Sequence, residues 1–265
     1  MSKLYVQNLG LIITEKCNLA CKHCMRGGSV CKDMSDEVIE ATFSDITDIG
    51  NLTICGGEVT LASDTLEKIL THIVDRKIAL QGFSTTINGT IYNDKFMRLL
   101  DYINEYISKT CGKDRVILGI SKDIFHNSEI CRLNMVDTFN SNLLKYVNSP
   151  YFYEYRELDM KIFREGRATS LDEAITVPLH PWPIVYSYLK KQDVYEIGPL
   201  VSVNVDGIVT ECDASIENQR TIYNYGNVLE ESLLDICMRV GKETHPLLWY
   251  SKTGKIMKKQ LTYDK

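Results

Sequence analysis

Segments that favour β-strands alternate with segments that favour α-helices along most of this sequence. The predicted strands cover residues 9–14, 51–55, 78–87 and 116–121, with one or two more within 151–163. The first predicted helix is capped by Ser35 and has an apolar face that continues to Ile49. Three more predicted helices cover residues 64–76, 94–108 and 130–147. Parallel strands need long crossover connections, which are usually helices. The alternation therefore predicts an α/β fold built on a parallel sheet.

Polar motifs follow four of the predicted strands, at the point where each strand ends. They lie at residues 17–24, 56–58, 88–90 and 121–123. In barrels of parallel strands, ligands bind where the loops after the strands gather, at the carboxyl ends. The sequence therefore predicts that these four motifs lie together on one rim.

The first of these motifs contains Cys17, Cys21 and Cys24, three of the nine cysteines in the chain. Cysteine thiolates are the usual ligands of iron–sulfur clusters. Structural zinc takes four protein ligands, whereas a four-iron cluster held by three cysteines leaves one iron with an open position for a reactant. Two alternatives stay open: a zinc loop with His23 as fourth ligand, or three unrelated thiols.

The spacing C-x-x-x-C-x-x-C, with His23 before the last cysteine, resembles the cluster loop of the radical S-adenosylmethionine (SAM) enzymes. The resemblance implies that Cys17, Cys21 and Cys24 hold a 4Fe–4S cluster whose open iron chelates SAM. One electron, from a flavodoxin- or ferredoxin-type reductant, then cleaves SAM to methionine and a 5′-deoxyadenosyl radical. It also implies that His23 lies against the adenine.

The second motif, Gly56-Gly57-Glu58, resembles the G-G-E motif that contacts the SAM amino group in this family. Glycines let a backbone approach a ligand closely, and a carboxylate accepts a charge-assisted hydrogen bond from an ammonium. The sequence departs from the family at Val59, where proline is commoner. By itself, a Gly-Gly pair is more often only a turn.

Further cofactor residues follow from the same resemblance. Ser121 matches the serine that reaches the SAM ribose, and Arg167, in a Gly-Arg-Ala segment, matches an arginine whose planar fork suits the SAM carboxylate. Asn88 is a further candidate, although Asn-Gly is primarily a turn signal. Asp123 and His126 point to the same rim and are candidates for contact with substrate or ribose. The alternatives are a helix-capping serine, a solvated arginine and a structural histidine.

The C-terminal part predicts a β-hairpin over residues 198–212, turning at Asp206-Gly207, and a helix that begins after Gly226. This pattern is similar to the SPASM and twitch extensions of radical SAM enzymes. The resemblance as a whole implies a partial (β/α)6 barrel with a small appendage of a hairpin and a helix. The predicted domains are the barrel at 1–177, a linker at 178–197, and the appendage with its tail at 198–265.

The predicted appendage departs from the SPASM pattern in its cysteines. Tyr195 stands where the first cysteine belongs, and only Cys237 follows Cys212. Two cysteines cannot supply the usual four-cysteine shell, so we expect a single cluster. Cys212 has three interpretations: a buried apolar residue, a hydrogen-atom donor as in the radical SAM peptide epimerases, or a vestigial ligand. The other cysteines are predicted to be ordinary buried thiols: Cys31, Cys55, Cys111, Cys131 and Cys237.

Composition excludes some classes of function. The net charge of −5 over 265 residues gives no basic surplus for gripping nucleic acid. The sequence shows neither a signal peptide nor a run of 18 apolar residues, so we expect a cytoplasmic protein without a membrane partner. In that reducing compartment, cysteines serve as ligands and thiols and not as disulfides.

Two classes of function follow. The first is a radical SAM enzyme that abstracts hydrogen from a substrate, with a peptide favoured by the hairpin appendage, as in maturases or epimerases. A small metabolite or activation of a glycyl-radical enzyme is the alternative within that class. The second class is a non-catalytic iron–sulfur or zinc-binding module. Production of 5′-deoxyadenosine from SAM separates the two classes.

Overall fold

A twelve-stranded, mostly parallel sheet organises this computed structural model, which describes residues 3–112, 116–149, 154–156, 162, 164–172, 174, 184–244, 248–250 and 256–258. The strands of the sheet are β1 (Lys3–Thr14), β2 (Ile46–Gly56), β3 (Ala79–Leu80), β4 (Phe83–Ile87), β5 (Val116–Ile120), β6 (Glu154–Arg156), β7 (Val185–Leu189), β8 (Val194–Gly198), β9 (Val201–Val203), β10 (Ile208–Thr210), β11 (Gly226–Asn227) and β12 (Lys242–Glu243). A separate hairpin consists of β13 (Leu248–Tyr250) and β14 (Ile256–Lys258).

Seven helices accompany these strands in the described part of the chain. They are α1 (Asp36–Phe43), α2 (Ser63–Asp75), α3 (Asp94–Cys111), α4 (Ile124–Arg132), α5 (Val136–Val147), α6 (Ile216–Arg220) and α7 (Leu233–Val240), with short 3₁₀ turns at Val59–Ala62 and Gly166–Ser170. None of the described helices is both long and apolar enough to cross a membrane.

The main path of the sheet runs in the order β11-β10-β9-β1-β2-β4-β5-β6. Neighbours from β1 to β6 are parallel, and so are β9 and β1. The carboxyl ends of these strands therefore lie at one edge, as the strand–helix alternation predicts. This arrangement confirms the predicted α/β fold of the partial-barrel type.

The core lies where the central strands meet the helices. On β2, Leu52 and Ile54 are fully buried, and their alternation along the strand places both on one face. On α2, Leu66, Ile69 and Ile73 recur at helical spacing and are fully buried. Burial of these side chains fixes the register of β2 and thus the position of the loop that follows it.

The structure corrects the predicted boundary between α1 and β2. Ile46 and Ile49 were predicted on the apolar face of the first helix, but α1 ends at Phe43 and both isoleucines belong to β2. Leu4 of β1 pairs with Ile46, so the strand ladder extends well before the predicted start. β-branched side chains fit a pleated, half-buried surface, and pairing with the long β1 overrides the helical pattern here.

Two other elements are divided where the sequence predicted one. The helix predicted over 130–147 is α4 and α5, separated by a turn at Leu133 and Asn134. Asn134 has a φ of 54°, a left-handed conformation that asparagine tolerates better than most residues and that ends a helix. The strand predicted over 78–87 is divided into β3 and β4, with Gly82 in the break.

The C-terminal strands continue the same sheet. The hairpin of β9 and β10 turns at Asp206-Gly207, as predicted, and both β8 and β9 pair with β1 in parallel. The predicted linker 178–197 contains β7 and β8, while its residues 178–183 lie outside the described residues, as does most of 151–163. These strands share one sheet with the first part of the chain, so the sheet itself marks no boundary between domains. The division into domains stays a prediction.

Candidate active site

Backbone hydrogen bonds join the cysteine loop to the Gly56-Gly57-Glu58 segment. The Gly57 N–H donates to the Thr14 carbonyl at 2.8 Å, and the Glu58 N–H donates to the Lys16 carbonyl at 2.7 Å. A Cβ atom on Gly57 would overlap the Lys16 carbonyl oxygen. Glycine is therefore required here by the approach of the cysteine loop itself, whereas the sequence suggested approach to a ligand.

The three cysteines of the loop are free thiols. Cys21 is buried, Cys17 and Cys24 are partly exposed, and the Leu19 N–H lies 3.4 Å from the Cys17 sulfur. Burial raises the pKa of the Cys17 thiol, and it raises the pKa of Cys21 to about 12 with added repulsion from the charges of Cys17 and Cys24. The loop thus gathers three sulfur donors at the carboxyl end of β1.

A group of possible metal ligands lies beside the cysteine loop. In the described part of the chain, His23, Asp123 and His126 form one group of three whose ligand atoms all lie within 4.8 Å of one another. The three cysteines are not part of this group. His23 thus lies with Asp123 and His126, at the start of α4.

A polar network ties the cysteine loop to the end of β4. The Asn88 side-chain amide donates to Asn18 Oδ1 at 2.9 Å, and the Asn18 amide donates to Thr90 Oγ1 at 2.8 Å. Asn88 Oδ1 in turn accepts from the N–H and the hydroxyl of Thr90. The sequence places Asn18 and Thr90 within the first and third motifs but predicts no role for either residue.

Glu58 is 1% exposed and joins the ends of β2 and β4. Its Oε1 accepts from the Thr60 N–H and from the Thr60 hydroxyl at 2.6 Å, and its Oε2 accepts from the Asn88 N–H at 2.7 Å. Burial raises the pKa of Glu58, and these hydrogen bonds oppose that rise. The carboxylate is thus a structural link at the predicted rim.

The fourth predicted motif begins α4 and lies beside the cysteine loop. Asp123 caps the helix, with Oδ1 accepting from the N–H groups of Phe125 and His126. Asp123 Oδ2 lies 2.7 Å from His126 Nδ1. Burial raises the pKa of Asp123, but the hydrogen bonds from His126 outweigh it, and the resulting pKa is about 2. Ser121 is buried, and its N–H donates to the carbonyl that ends β4.

His23 packs against the start of α4. Its ring centroid lies 5.0 Å from that of Phe125 and 4.8 Å from that of His126. Its Nε2 is 3.8 Å from Asp123 Oδ2, and its buried Nδ1 has no hydrogen-bond partner among the described residues. Burial lowers the pKa of His23. A neutral imidazole with a free nitrogen is therefore available at this rim.

Arg167 contacts the cysteine loop from the other side. Its N–H donates to the Cys24 carbonyl at 3.0 Å, and its guanidinium donates to the Cys21 carbonyl at 3.4 Å. Gly166 has a φ of 55°, and a Cβ there would overlap the Met25 carbonyl oxygen. The structure thus brings Arg167 to the predicted site, with a structural role in holding the loop.

Cys212 is partly exposed and lies beside a second thiol. Its sulfur is 3.7 Å from the Cys55 sulfur, and Arg26 Nη2 lies 3.7 Å from both sulfurs. Sequence reasoning treated Cys55 as an ordinary buried thiol and gave Arg26 no role. It also placed Cys31 and Cys131 among the buried thiols, but both are exposed. Cys237 is buried, as predicted.

The chain matches the model of the radical SAM superfamily over residues 11–117, which include the cysteine loop, Gly56-Gly57-Glu58 and Asn88. Residues 11–117 of the chain are thus similar to the radical SAM domain. This superfamily uses a 4Fe–4S cluster and SAM, which is the cofactor pair predicted from the sequence.

Two relatives are named probable GTP 3′,8-cyclase. The protein from Methanothermobacter marburgensis is 28% identical over 150 residues, covering 49% of this chain and 48% of the relative. The protein from Methanocaldococcus jannaschii is 32% identical over 139 residues, covering 45% and 46%. The chain thus spans about half the length of these relatives.

A solved structure of native anSMEcpe, with bound AdoMet and the Cp18Cys peptide, has a similar fold. It matches with a TM-score of 0.50 and 14% identity, covering 88% of this chain and 80% of that one. The two chains thus share a similar fold.

The fit between Gly57 and the cysteine loop is testable. We expect Gly57→Ala to lower the free energy of unfolding by about 1–3 kcal/mol, because the new methyl group displaces the Lys16 carbonyl. Gly28→Ala is the matched control, since no atom lies within 4 Å of its added Cβ, and should change stability by less than about 0.5 kcal/mol. Urea unfolding followed by circular dichroism measures both. Equal stability of the two variants would contradict the proposed contact.

Proposed function

We propose that this protein is a radical SAM enzyme that cleaves SAM reductively at a single 4Fe–4S cluster and abstracts a hydrogen atom from a substrate. Cys17, Cys21 and Cys24 would hold the cluster. When bound, the cluster supplies the electron that cleaves SAM, after reduction by a flavodoxin- or ferredoxin-type protein. The observation that carries the proposal is the cysteine loop of a radical SAM domain, bonded on one side to Gly56-Gly57-Glu58 and on the other to Arg167.

The residues around the loop would bind SAM. Glu58 retains acceptor capacity for the SAM ammonium, because a carboxylate offers about four lone-pair sites and three donors use it here. Arg167 would meet the SAM carboxylate, Ser121 the ribose and His23 the adenine. Asn88 would orient the loop through Asn18.

A non-catalytic iron–sulfur protein is the competing class. Glu58 and Arg167 both make structural hydrogen bonds, so their presence alone does not distinguish an enzyme from an electron carrier. The distinction depends on SAM cleavage.

The cluster assignment gives the first test of this function. We expect Cys17→Ala, Cys21→Ala and Cys24→Ala each to remove most of the iron and all production of 5′-deoxyadenosine, because each removes one of three ligands. Cys131→Ala, at an exposed cysteine on α4, is the control and should keep both. Iron analysis and chromatography of anaerobic reactions with SAM and dithionite give the measurements. A Cys17/Cys21/Cys24 triple variant that still forms 5′-deoxyadenosine would end the proposal.

The SAM contacts give the second test. We expect Glu58→Gln and Arg167→Lys each to weaken SAM binding by about 1.5–3 kcal/mol, the usual worth of a hydrogen bond to a charged group. Arg164→Lys is the control, because Arg164 lies in the same turn but donates to the carbonyls of Thr169 and Ala174. Equilibrium binding of SAM is measured, and the cluster absorbance shows that the loop is intact. Unchanged SAM affinity with an intact cluster would show that these residues do not bind SAM.

For the substrate, we propose a peptide. A continuous cavity of about 960 Å³ lies beside Arg167, between residues 26–30, the turn at 164–169 and the segment 215–221 around α6. Such a volume is in the range of ligand sites and can admit a peptide side chain. The C-terminal hairpin, similar to the extensions of peptide-modifying family members, and the peptide-bound anSMEcpe fold support this choice.

A small phosphorylated metabolite is the second candidate. The cavity is lined by four arginines and two glutamates: Arg26, Arg164, Arg167, Arg220, Glu165 and Glu217. Guanidinium groups suit phosphate oxygens, and the two relatives are named for GTP cyclisation. The four guanidinium groups along one cavity are the observation that favours it, although Arg220 already pairs with Glu15 and Asp206.

The two substrate classes predict different responses. If the substrate is a peptide, a panel of short synthetic peptides should accelerate 5′-deoxyadenosine formation, whereas GTP should not. Acceleration by GTP alone, with loss of that effect in Arg220→Gln, would replace the peptide proposal with the nucleotide one.

A further inference from the structure

We propose that Cys55 and Cys212 form a redox-active dithiol that closes into a disulfide by exchange with a small-molecule disulfide. Cys55 is the second-last residue of β2, and Cys212 follows β10, 157 positions later in the sequence. The fold nevertheless places the two sulfurs in contact. No local sequence motif contains both cysteines, so the sequence alone does not indicate this contact.

The distance between the sulfurs permits a bond. They lie 3.7 Å apart, and a disulfide bond is about 2.0 Å long. The two sulfurs must move closer by about 1.7 Å for the bond to form. Both residues are partly exposed. Cys237 is a contrast in the same part of the chain, because it is buried and burial alone raises its pKa to about 12.

Arg26 prepares the pair for reaction. Its Nη2 lies 3.7 Å from each sulfur, and its Nη1 donates to the Ala214 carbonyl at 3.2 Å, which holds the guanidinium in place. The hydrogen bond with Cys55 is the main cause that lowers the pKa of Cys212, to about 6; burial opposes it, and Arg26 assists. Asp213 is the acidic neighbour and acts in the opposite direction. The thiolate is the nucleophile in thiol–disulfide exchange.

The exchange balances in two steps. The thiolate of Cys212 attacks one sulfur of oxidised glutathione, the S–S bond of glutathione breaks, and one glutathione leaves as a thiolate. Cys55 then loses its proton to solvent and attacks the Cys212 sulfur, so that the second glutathione leaves. The two cysteines have lost two electrons, and the two glutathiones have gained them.

The state of this pair would control hydrogen transfer, a role that rests on the proposed function. A substrate radical that takes the hydrogen atom of an S–H group gains a C–H bond and leaves a sulfur radical. One electron from the flavodoxin- or ferredoxin-type reductant and one proton restore the thiol. The disulfide has no S–H group. Because Cys212 is the thiolate of the pair, the S–H group lies on Cys55, whose pKa is raised by its hydrogen bond with Cys212 and by burial. Closing the disulfide removes that S–H group, so the pair can no longer supply a hydrogen atom.

The test uses the full-length protein with its cluster, handled without oxygen. Oxidised glutathione is added, free thiols are then blocked with iodoacetamide, and digested peptides are mapped by mass spectrometry. We expect the Cys55–Cys212 disulfide to be the main product. Exposed Cys131, which serves as the single-thiol control, should form only a glutathione adduct. Glutathione adducts at Cys55 or Cys212 without the joining disulfide would overturn the proposal.

Single-cysteine variants distinguish the reactivity of Cys212 from that of Cys55. In Cys55→Ser, Cys212 should stay trapped as a glutathione adduct. In Cys212→Ser, Cys55 should react about tenfold more slowly than Cys212 does in Cys55→Ser, because burial raises the pKa of the Cys55 thiol and leaves less thiolate to attack. Equal rates in both variants would contradict an activated Cys212. The 5′-deoxyadenosine assay is run in parallel. A disulfide without SAM cleavage would contradict the proposed radical SAM activity, whereas SAM cleavage without a disulfide would contradict only the proposed redox-active dithiol.

Discussion

Two backbone hydrogen bonds between the cysteine loop and the segment after β2 hold the site together. The N–H groups of Gly57 and Glu58 donate to the carbonyls of Thr14 and Lys16, which continue the ladder of β1 and β2 past the end of the strands. Only a residue without a side chain fits against the Lys16 carbonyl. The position of the cysteines therefore depends on the register of the two central strands.

Buried polar groups extend this link across the rim. Glu58 receives the N–H of Asn88, and Asn88 in turn donates to Asn18 in the cysteine loop. A buried carboxylate is costly unless its oxygens accept hydrogen bonds, and here they do. Such a connected network fixes the relative positions of three loops, because loss of one member leaves the others unsatisfied. The same carboxylate can serve both architecture and a ligand ammonium.

Sequence reasoning succeeded where the signal is local. Glycine, asparagine and serine directly after apolar runs marked the strand ends that meet at the rim, and the cysteine spacing marked the loop. It failed where tertiary pairing decides the structure: Ile46 and Ile49 continue a helical pattern of apolar residues, but they pair with β1. It also failed at Asn134, where a left-handed backbone conformation divides a helix although the apolar pattern continues on both sides. The contact of Cys55 with Cys212 has no local signal, since 157 positions separate the two residues.

The pairing of β9 with β1 explains how the C-terminal segment reaches the site. Leu9 and Leu11 of β1 pair with Val201 and Val203 on the edge opposite to β2, so the hairpin of β9 and β10 extends the sheet instead of standing apart from it. The chain after β10 then places Cys212 against Cys55, while the Ile216 N–H lies 3.4 Å from the Arg26 carbonyl. The radical SAM match ends at residue 117. The later segment thus lies outside that match and meets the matched part where Cys212 and the Ala214 carbonyl contact Cys55 and Arg26.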